Sequence, residues 1–300
     1  MFSIYFTVYR EINDQNSLLK SAFVKRCRIL IKLSDVEKFA RNLAIEAGGL
    51  IQGESNRGAV GQSFKNDHEL VTDADIAADE LICREISQMF PKHSIVSEES
   101  FPNTNDFDKK STPFWVIDPI DGTVNYAHGH DQSAVSIAYC QGGHVEIGIV
   151  YNPFTNEMFS ATRGNGAFLN GKAIRVADKR CVRRAIVATG FPYEKSNIEP
   201  MIQRVGAILR HCAAIRRLGS AALDICWVAA GRLDVYYESL NLWDFAAARL
   251  IASEAGAVCG HFSELPQDED PQFYENDLLI TNAHLFPKIK EILQVADAPK

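Results

Sequence analysis

The chain has 300 residues, a hydrophobic share of 46%, a charged share of 23% and a formal net charge of -7 at pH 7. These values are ordinary for a globular protein with an apolar core. The acidic balance argues against nonspecific nucleic-acid binding as the main activity, and no apolar stretch approaches the roughly 20 residues of a membrane span. Seven scattered cysteines without a Cys-x-x-Cys spacing favour buried thiols in a reducing compartment and a cytoplasmic location.

The first ordered element is predicted to begin at Ser34, which opens a Ser-x-x-Glu pattern typical of a helix capping box. Residues 1–33 are interpreted as a separate N-terminal leader. A disordered segment, a peripheral strand, a basic binding segment and a misassigned start all remain alternatives for it. Apolar residues at helical spacing predict a helix over 36–51, and a second helix is predicted to follow Thr72 and to end before Pro91.

Short apolar segments bounded by turn residues predict strands in the next part of the chain. They lie at 94–97, 113–117, 133–139 and 144–151, with a hairpin pattern over 157–176. After Arg180 strands alternate with helices, which predicts a mixed or parallel sheet. We therefore expect an α+β metal-binding half with an antiparallel sheet at 34–180. An α/β half at 181–300 is expected to supply Asp244 and the substrate-specificity loops.

The most informative segment is an apolar run that ends in two carboxylates three residues apart, Asp118 and Asp121. Burying two like charges so close together is costly unless a cation lies between them. Hard cations such as Mg²⁺ prefer oxygen ligands and usually share their site with substrate phosphate. The segment reads Trp115-Val116-Ile117-Asp118-Pro119-Ile120-Asp121-Gly122-Thr123, and it predicts a metal-dependent enzyme.

Further acidic residues lie at predicted helix or strand ends, namely Asp75, Glu98-Glu99 and Asp244. Each has a simpler alternative. Asp75 and Asp244 could stabilise the first turns of helices, and Glu98-Glu99 could be a solvated surface pair. Only the Asp118–Asp121 pair favours a functional role by itself.

Taken together, these motifs resemble those of the inositol monophosphatase family. The matching segments are Leu70-Val71-Thr72-x-x-Asp75, Glu98-Glu99, Trp115 to Asn125, Trp243-Asp244-Phe245-Ala246-Ala247 and Glu254-Ala255-Gly256. The resemblance runs in the family's order from about residue 34 to the C-terminus. It implies an α+β fold, a layered αβαβα sandwich of the inositol monophosphatase and fructose-1,6-bisphosphatase type. It also implies a Mg²⁺-dependent phosphoric monoester hydrolase with two or three Mg²⁺ ions per site, and a homodimer.

The resemblance further implies roles for individual residues. The metal ligands would be Glu98, Asp118, Asp121, Asp244 and the backbone carbonyl of Ile120. Catalysis would depend on Glu98 and Thr123, which orient the attacking water, and on Asp75, which pairs with the Thr123 hydroxyl. Substrate would be bound by Asp121, Gly122, Thr123, Ala221, Glu238 and Asp244. The loop after Glu238 is one residue shorter than in the family members compared with it.

The most specific expectation is hydrolysis of myo-inositol 1-phosphate to myo-inositol and phosphate by metal-activated water. Histidinol phosphate, fructose 1,6-bisphosphate and 3′-phosphonucleotides remain alternative substrates, because relatives share the metal site and vary the loops around it. A second alternative is an RNA- or transcription-associated binding protein with a residual metal site. It is motivated by the basic leader and by Arg180, Arg183, Arg184 and Arg216-Arg217. The acidic net charge and the complete set of metal ligands argue against this alternative. The resemblance implies a small-molecule phosphate monoester as the partner, and neither nucleic acid nor a membrane is expected.

Overall fold

The computed structural model describes residues 32–56, 62–65, 69–100, 110–191 and 198–298. The architecture described below is that of the compact unit over residues 37–300. The predicted leader, residues 1–33, lies outside the described residues except for its last two positions.

Except for the short helix at 123–127, which was not predicted, the helices begin and end close to the predicted positions. Within the described residues they are α1 (Leu33–Asn56), α2 (Asp73–Met89), α3 (Thr123–Ala127), α4 (Glu199–His211), α5 (Ala221–Ala229), α6 (Leu242–Glu254) and α7 (Phe286–Asp297), with a 3₁₀ turn at Val182–Arg184. Helix α1 continues past the predicted end at residue 51. Gly48 allows this part of the helix to approach Tyr151, whose ring carbon Cε1 would lie 2.6 Å from a Cβ at position 48.

The strands of the first half form a seven-stranded sheet in the order β3-β4-β5-β6-β7-β8-β9. They are β3 (Ser94–Ser97), β4 (Phe114–Asp121), β5 (Ala134–Gln141), β6 (His144–Asn152), β7 (Glu157–Thr162), β8 (Ala167–Leu169) and β9 (Lys172–Ile174). All neighbouring pairs are antiparallel except β3 and β4, which run parallel. The sheet of this half is thus antiparallel apart from this one pair. The connection over 98–113 provides the long crossover that parallel strands require.

A small hairpin and a second sheet complete the strands. The hairpin pairs β1 (Gln62–Lys65) with β2 (Glu69–Thr72). The second sheet has the order β11-β10-β12-β14-β13, built from β10 (Ile186–Ala188), β11 (Ala214–Arg216), β12 (Val235–Glu238), β13 (Val258–His261) and β14 (Leu278–Thr281). Strand β10 is parallel to both of its neighbours, whereas β14 is antiparallel to both of its own. The sheet is mixed, as the alternation of strands and helices predicts. Strands β1, β2 and β13 were not predicted.

Helices α5 and α6 lie between the two sheets, where their apolar side chains share one hydrophobic cluster with residues of both. The other face of the five-stranded sheet packs against α4 and α7. On the outer face of the seven-stranded sheet, Phe39 of α1 and Phe90 after α2 contact Trp115, with ring centroids 5.9 and 5.4 Å apart. These five layers are the predicted αβαβα sandwich.

Helix α6 lies against β6 so closely that no side chain fits at Gly148. A Cβ at this position would lie 3.1 Å from the Cα and the carbonyl carbon of Ala247, and still closer to its oxygen. Because Ala247 is less than one turn from Asp244, this backbone contact fixes the depth at which α6 presents that carboxylate to the sheet.

The six cysteines in the described part of the chain are all free thiols. Cys140 and Cys226 are buried and Cys83, Cys212 and Cys259 are half-buried, whereas Cys181 is exposed. The expectation of buried thiols is therefore wrong for Cys181. Among the helices that the structure describes, none combines the length and the apolar character that crossing a bilayer requires.

We predict that Gly148→Ala lowers the free energy of unfolding by about 1–3 kcal/mol, because the added methyl group meets backbone that cannot move independently of α6. The matched control is Gly49→Ala in α1, where a Cβ would meet nothing within 4 Å and the helix should gain about 0.5–1 kcal/mol. Urea unfolding of both variants measures the difference. Equal stability of the two would contradict the close packing of α6 on β6.

Candidate active site

Three carboxylates from two separate parts of the chain meet in one pocket. Each of Asp118, Asp121 and Asp244 offers a carboxylate oxygen, and these oxygens all lie within 4.8 Å of one another. Asp118 is 1% exposed and Asp121 is 6% exposed. A Mg²⁺ ion about 2.1 Å from each ligand keeps the ligand oxygens within about 4.2 Å of one another. This all-oxygen donor set therefore fits such a cation after only a small rotation of the side chains.

A β-bulge brings the first two carboxylates together. In a regular strand, side chains three residues apart point to opposite faces of the sheet. Here Asp118 pairs with Ser136 and Asp121 pairs with Ala134, so that three residues along β4 correspond to two along β5. The additional residue in β4 changes the phase of the strand, and Asp121 returns to the side of the sheet that Asp118 occupies.

The strand alternation of β4 directs Asp118 towards α6. Phe114 and Val116 belong to the cluster that packs against this helix, and Asp118 continues their alternation. Asp244 lies in the first turn of α6, where its Oδ2 accepts a hydrogen bond of 2.9 Å from the backbone N–H of Asn241. The simpler expectation of a helix-capping role for Asp244 is therefore met as well, and the same residue also joins the acidic cluster.

Glu98 follows β3 directly and continues its pairing with β4, because its N–H donates to the carbonyl oxygen of Ile117 over 3.2 Å. This pairing brings Glu98 beside Asp118, and the two side chains share a hydrogen bond. Glu98 lies outside the three-carboxylate cluster but close enough for its charge to raise the pKa values of Asp118 and Asp244.

Burial and mutual repulsion both oppose full ionisation of this cluster. Burial is the largest cause that raises the pKa of Asp118 well above its usual value, and Glu98, Asp121 and Asp244 add to it. The pKa of Asp244 is raised in the same way, by burial first and then by Asp121 and Glu98. Burial raises the pKa of Asp121 to about 6, although hydrogen bonds from the first turn of α5 oppose this change. A bound divalent cation would remove this penalty.

Asp121 is held by the N-terminus of α5. The hydroxyl of Ser220 donates to its Oδ2, the N–H of Ala222 donates to the same oxygen over 2.9 Å, and the N–H of Ala221 donates to Oδ1 over 3.2 Å. The backbone amide of Ala221, a predicted substrate-binding residue, therefore already donates to Asp121. The sequence reasoning missed the role of Ser220.

Thr123 and Asp75 form a pair, in accordance with the family resemblance. The Thr123 hydroxyl lies 3.0 Å from Oδ1 of Asp75 and 3.1 Å from the carbonyl oxygen of Ile120, so both are acceptors for its single hydrogen. Asp75 is fully buried and also accepts hydrogen bonds from the N–H and hydroxyl of Thr72 at the start of α2. Donation to Asp75 leaves the oxygen of Thr123 free to accept a hydrogen bond.

Gly122 connects the bulged strand to α3 with a positive φ of 94°. A Cβ there would lie 2.8 Å from the carbonyl oxygen of Gln132 and 3.0 Å from that of Gly219, so only glycine fits. The amide of Asn125 donates to the carbonyl oxygens of Gln132 and Leu218 over 2.8 and 2.7 Å. Asn125 thus ties the Gly122 turn to the loop that precedes α5, a role that the sequence motif did not reveal.

An open cavity extends from the acidic cluster to a second group of polar side chains. Glu238, the predicted substrate-binding residue, lines its far end and accepts a hydrogen bond from the hydroxyl of Tyr236. The sequence reasoning missed the other lining residues of this end, which include Phe191, Arg217, Asp224 and Tyr236. They come from separate segments that no local motif links.

A sequence profile of the inositol monophosphatase family matches residues 32–295. The chain belongs to the inositol monophosphatase family. This membership supports phosphatase activity on a small-molecule substrate, and it confirms the family and the fold that the motifs predict.

The known proteins that resemble this chain are named for different roles. The chain is 40% identical to "Nus factor SuhB" of Pasteurella multocida over 229 residues, which cover 74% of this chain and 85% of that protein. It is 35% identical to "Inositol monophosphatase 1" of Solanum lycopersicum over 237 residues, which cover 78% and 85% of the two chains. The crystal structure of extragenic suppressor protein SuhB from Bartonella henselae matches with a TM-score of 0.78 and 31% identity, covering 86% of this chain and 98% of that one.

The pKa directions predict how Mg²⁺ stabilises the protein at different pH values. Carboxyl groups with raised pKa values in the folded state stabilise the metal-free protein most below about pH 4, and this contribution is lost as the pH rises through about 6. Mg²⁺ competes with these protons, so it should raise the melting temperature more at about pH 7.5 than at about pH 5. Thermal unfolding with EDTA or with Mg²⁺ measures the two shifts.

Asp118→Asn is the control for this prediction, because it removes one repelling charge and one ligand. It should stabilise the metal-free protein at neutral pH and abolish most of the Mg²⁺ effect. Equal Mg²⁺ shifts at both pH values in the unsubstituted protein would contradict a metal site at these carboxylates.

Proposed function

We propose that the chain is a Mg²⁺-dependent phosphomonoesterase that acts on a polyol phosphate, with myo-inositol 1-phosphate as the leading substrate. The observation that carries this proposal is the cluster of Asp118, Asp121 and Asp244 within 4.8 Å in a cavity that also contains Thr123. The inositol monophosphatase from Solanum lycopersicum supports the choice of substrate, at 35% identity.

In the proposed reaction, Glu98, Asp118, Asp121, Asp244 and the carbonyl of Ile120 would hold Mg²⁺. When bound, Mg²⁺ supplies Lewis-acid activation of water and neutralises charge on the phosphate and the leaving oxygen. These carboxylates are suited to the task because a bound cation keeps them ionised despite their burial.

Thr123 and Glu98 would orient the attacking water. The Thr123 hydroxyl donates to Asp75, so its oxygen can accept a hydrogen bond from the water. Asp75 is positioned by Thr72, and it therefore fixes which way the Thr123 hydroxyl points. The backbone amides of Gly122 and Thr123 would receive the phosphate, since glycine permits close approach of an anion to the backbone. No protein nucleophile is required.

A second candidate function is a role in transcription, which the name "Nus factor SuhB" of relatives such as the one at 40% identity favours. Arg183, Arg184, Arg216 and Arg217 are all exposed, so they are accessible to an anionic partner. The basic residues of the leader lie outside the described residues. The homodimer, the cytoplasmic location and the division of the chain at residue 180 remain predictions.

We predict that Asp118→Asn lowers kcat/KM for myo-inositol 1-phosphate by at least about 10³-fold, or about 4 kcal/mol, because it weakens the hold on the catalytic cation. Phosphate release in the presence of Mg²⁺ measures the loss, and circular dichroism checks that the fold is intact. The matched control is Asp178→Asn, which changes an exposed carboxylate that pairs with Arg180 and should leave activity unchanged. An unaffected Asp118→Asn variant would overturn the proposed site.

A substrate panel tests the choice of alcohol. We expect myo-inositol 1-phosphate to give a higher kcat/KM than histidinol phosphate, fructose 1,6-bisphosphate or a 3′-phosphonucleotide. If one of these is hydrolysed far faster, that compound replaces inositol phosphate as the substrate. If all are inert while the unsubstituted protein and Asp118→Asn act equally in a transcription assay, the second candidate function is favoured.

A further inference from the structure

Asp224, in the first turn of α5, is a buried carboxylate whose hydrogen-bonding capacity is not fully used. It is 2% exposed and lines the cavity beside the acidic cluster. Its Oδ1 has no hydrogen-bond partner among the residues that the structure describes. A buried polar atom without a partner is costly, and native proteins rarely retain one without a reason. Because the side chain borders the cavity, rotation of the carboxylate about its Cβ–Cγ bond can bring this oxygen to a bound ligand, which then supplies the missing donor.

Capping of α5 does not explain Asp224. The N–H groups of Ala221 and Ala222 already donate to Asp121, and that of Leu223 donates to the Ser220 hydroxyl over 3.4 Å. The N–H of Asp224 itself donates to the carbonyl oxygen of Ser220 over 3.0 Å. The first turn of α5 is therefore satisfied without this carboxylate, in contrast to Asp75 and Asp244, which cap their own helices.

Metal binding does not explain it either. In the described part of the chain, the one group of potential ligands whose atoms lie within 4.8 Å of one another is Asp118, Asp121 and Asp244. Asp224 stands outside this group. Its charged surroundings are Asp121 and Glu238, which disfavour a further negative charge, and Arg217, which favours it.

Glu238, the other acidic side chain at the far end of the cavity, is already anchored. The Tyr236 hydroxyl donates to its Oε2, the N–H of Gly190 also donates to the carboxylate, and the carboxylate packs so closely on Gly190 that no Cβ would fit there. Glu238 has two fixed donors, whereas Oδ1 of Asp224 has none. Asp224 is thus the carboxylate at this end of the cavity with an oxygen that lacks a hydrogen-bond donor.

We propose that Asp224 accepts a hydrogen bond from a hydroxyl group of the substrate's alcohol part, and that it determines the preference for polyol phosphates over phosphate esters of plain alcohols. This inference rests on the proposed phosphatase function. A hydroxyl suits this position because it can both donate and accept, so it pairs with a carboxylate or with a carboxylic acid.

The charges around Asp224 indicate that the group it binds is neutral. Arg217 is the basic residue among those that line the cavity in the described part of the chain, and it faces both Asp224 and Glu238. A second phosphate or carboxylate on the substrate would lie beside these two acidic side chains and be repelled. A neutral polyol meets two acceptors without this penalty.

The test compares two esters that share a six-membered ring, myo-inositol 1-phosphate and cyclohexyl phosphate, which lacks the hydroxyls. Asp224→Ala should lower kcat/KM for the inositol ester by about 10–100-fold, as expected when a substrate hydroxyl loses its hydrogen-bond partner in a buried site. It should change kcat/KM for cyclohexyl phosphate by less than about threefold. Asp224→Leu, which is close in shape but can neither accept nor donate a hydrogen bond, is measured in parallel and replaces the alanine variant if that variant does not fold. Asp178→Asn is the control outside the cavity.

Two further readouts separate this role from its alternatives. The Mg²⁺ concentration for half-maximal activity should be unchanged in Asp224→Ala, and a large increase would overturn the proposal by making Asp224 part of the metal site. An equal loss of activity with both esters would also overturn it, because a purely structural role predicts that result.

Equilibrium binding distinguishes failure of this inference from failure of the proposed function. Calorimetry with Ca²⁺ in place of Mg²⁺ should show that the unsubstituted protein binds the inositol ester more tightly than cyclohexyl phosphate, and that Asp224→Ala loses this difference. If the unsubstituted protein hydrolyses neither ester, the proposed function is wrong, yet the same difference in affinity would still support the hydroxyl site. Equal affinities for both esters would overturn it.

Discussion

The mutual repulsion of three buried carboxylates is the constraint on which the rest of this structure depends. Asp118, Asp121 and Asp244 lie within 4.8 Å of one another, and burial is the first cause that raises the pKa of each. Asp121 has three hydrogen-bond donors, and burial still raises its pKa from 3.8 to about 6. Neutral donors alone therefore do not offset the cost, and a cation is the remaining means of keeping the whole cluster charged.

The layered fold reduces this cost by aiming helix N-termini at the cluster. Helices α5 and α6 both lie between the sheets, and both begin beside the site. The first amides of α5 donate to Asp121, and the N–H before α6 donates to Asp244. The positive ends of two helix dipoles thus face the negative charges. The backbone contact between Gly148 and Ala247 keeps α6 at the depth where this arrangement works.

The sequence motifs pointed to Asp118, Asp121 and Asp244, which meet in one cluster, but they did not predict the local structure that brings these residues together. The spacing of Asp118 and Asp121 suggested shared ligation, but a regular strand would have separated their side chains. The β-bulge between them places both side chains on the same face of the sheet, and the sequence motif does not predict this bulge. From the sequence, helix capping and a role in the site were alternative explanations for Asp75 and Asp244. In the structure each residue caps its helix, and each also lies beside the acidic cluster or beside Thr123. The need for glycine at position 148 could not be predicted from the local sequence, because the backbone that excludes a side chain there belongs to a helix about 100 residues later.

The two ends of the cavity differ in how far sequence can describe them. The residues of the acidic end lie in short sequence motifs, so its chemistry can be predicted from a few adjacent residues. The far end is assembled from Gly190, Arg217, Asp224 and the Tyr236–Glu238 pair, which lie on separate segments and make contact only in the folded chain. Relatives named for a phosphatase and for a Nus factor share this family, so the fold alone does not specify the role. In the proposed function the acidic cluster determines the reaction class, and in the further proposal the choice of alcohol depends on the far-end carboxylate that still lacks a hydrogen-bond donor. In this chain that carboxylate is Asp224.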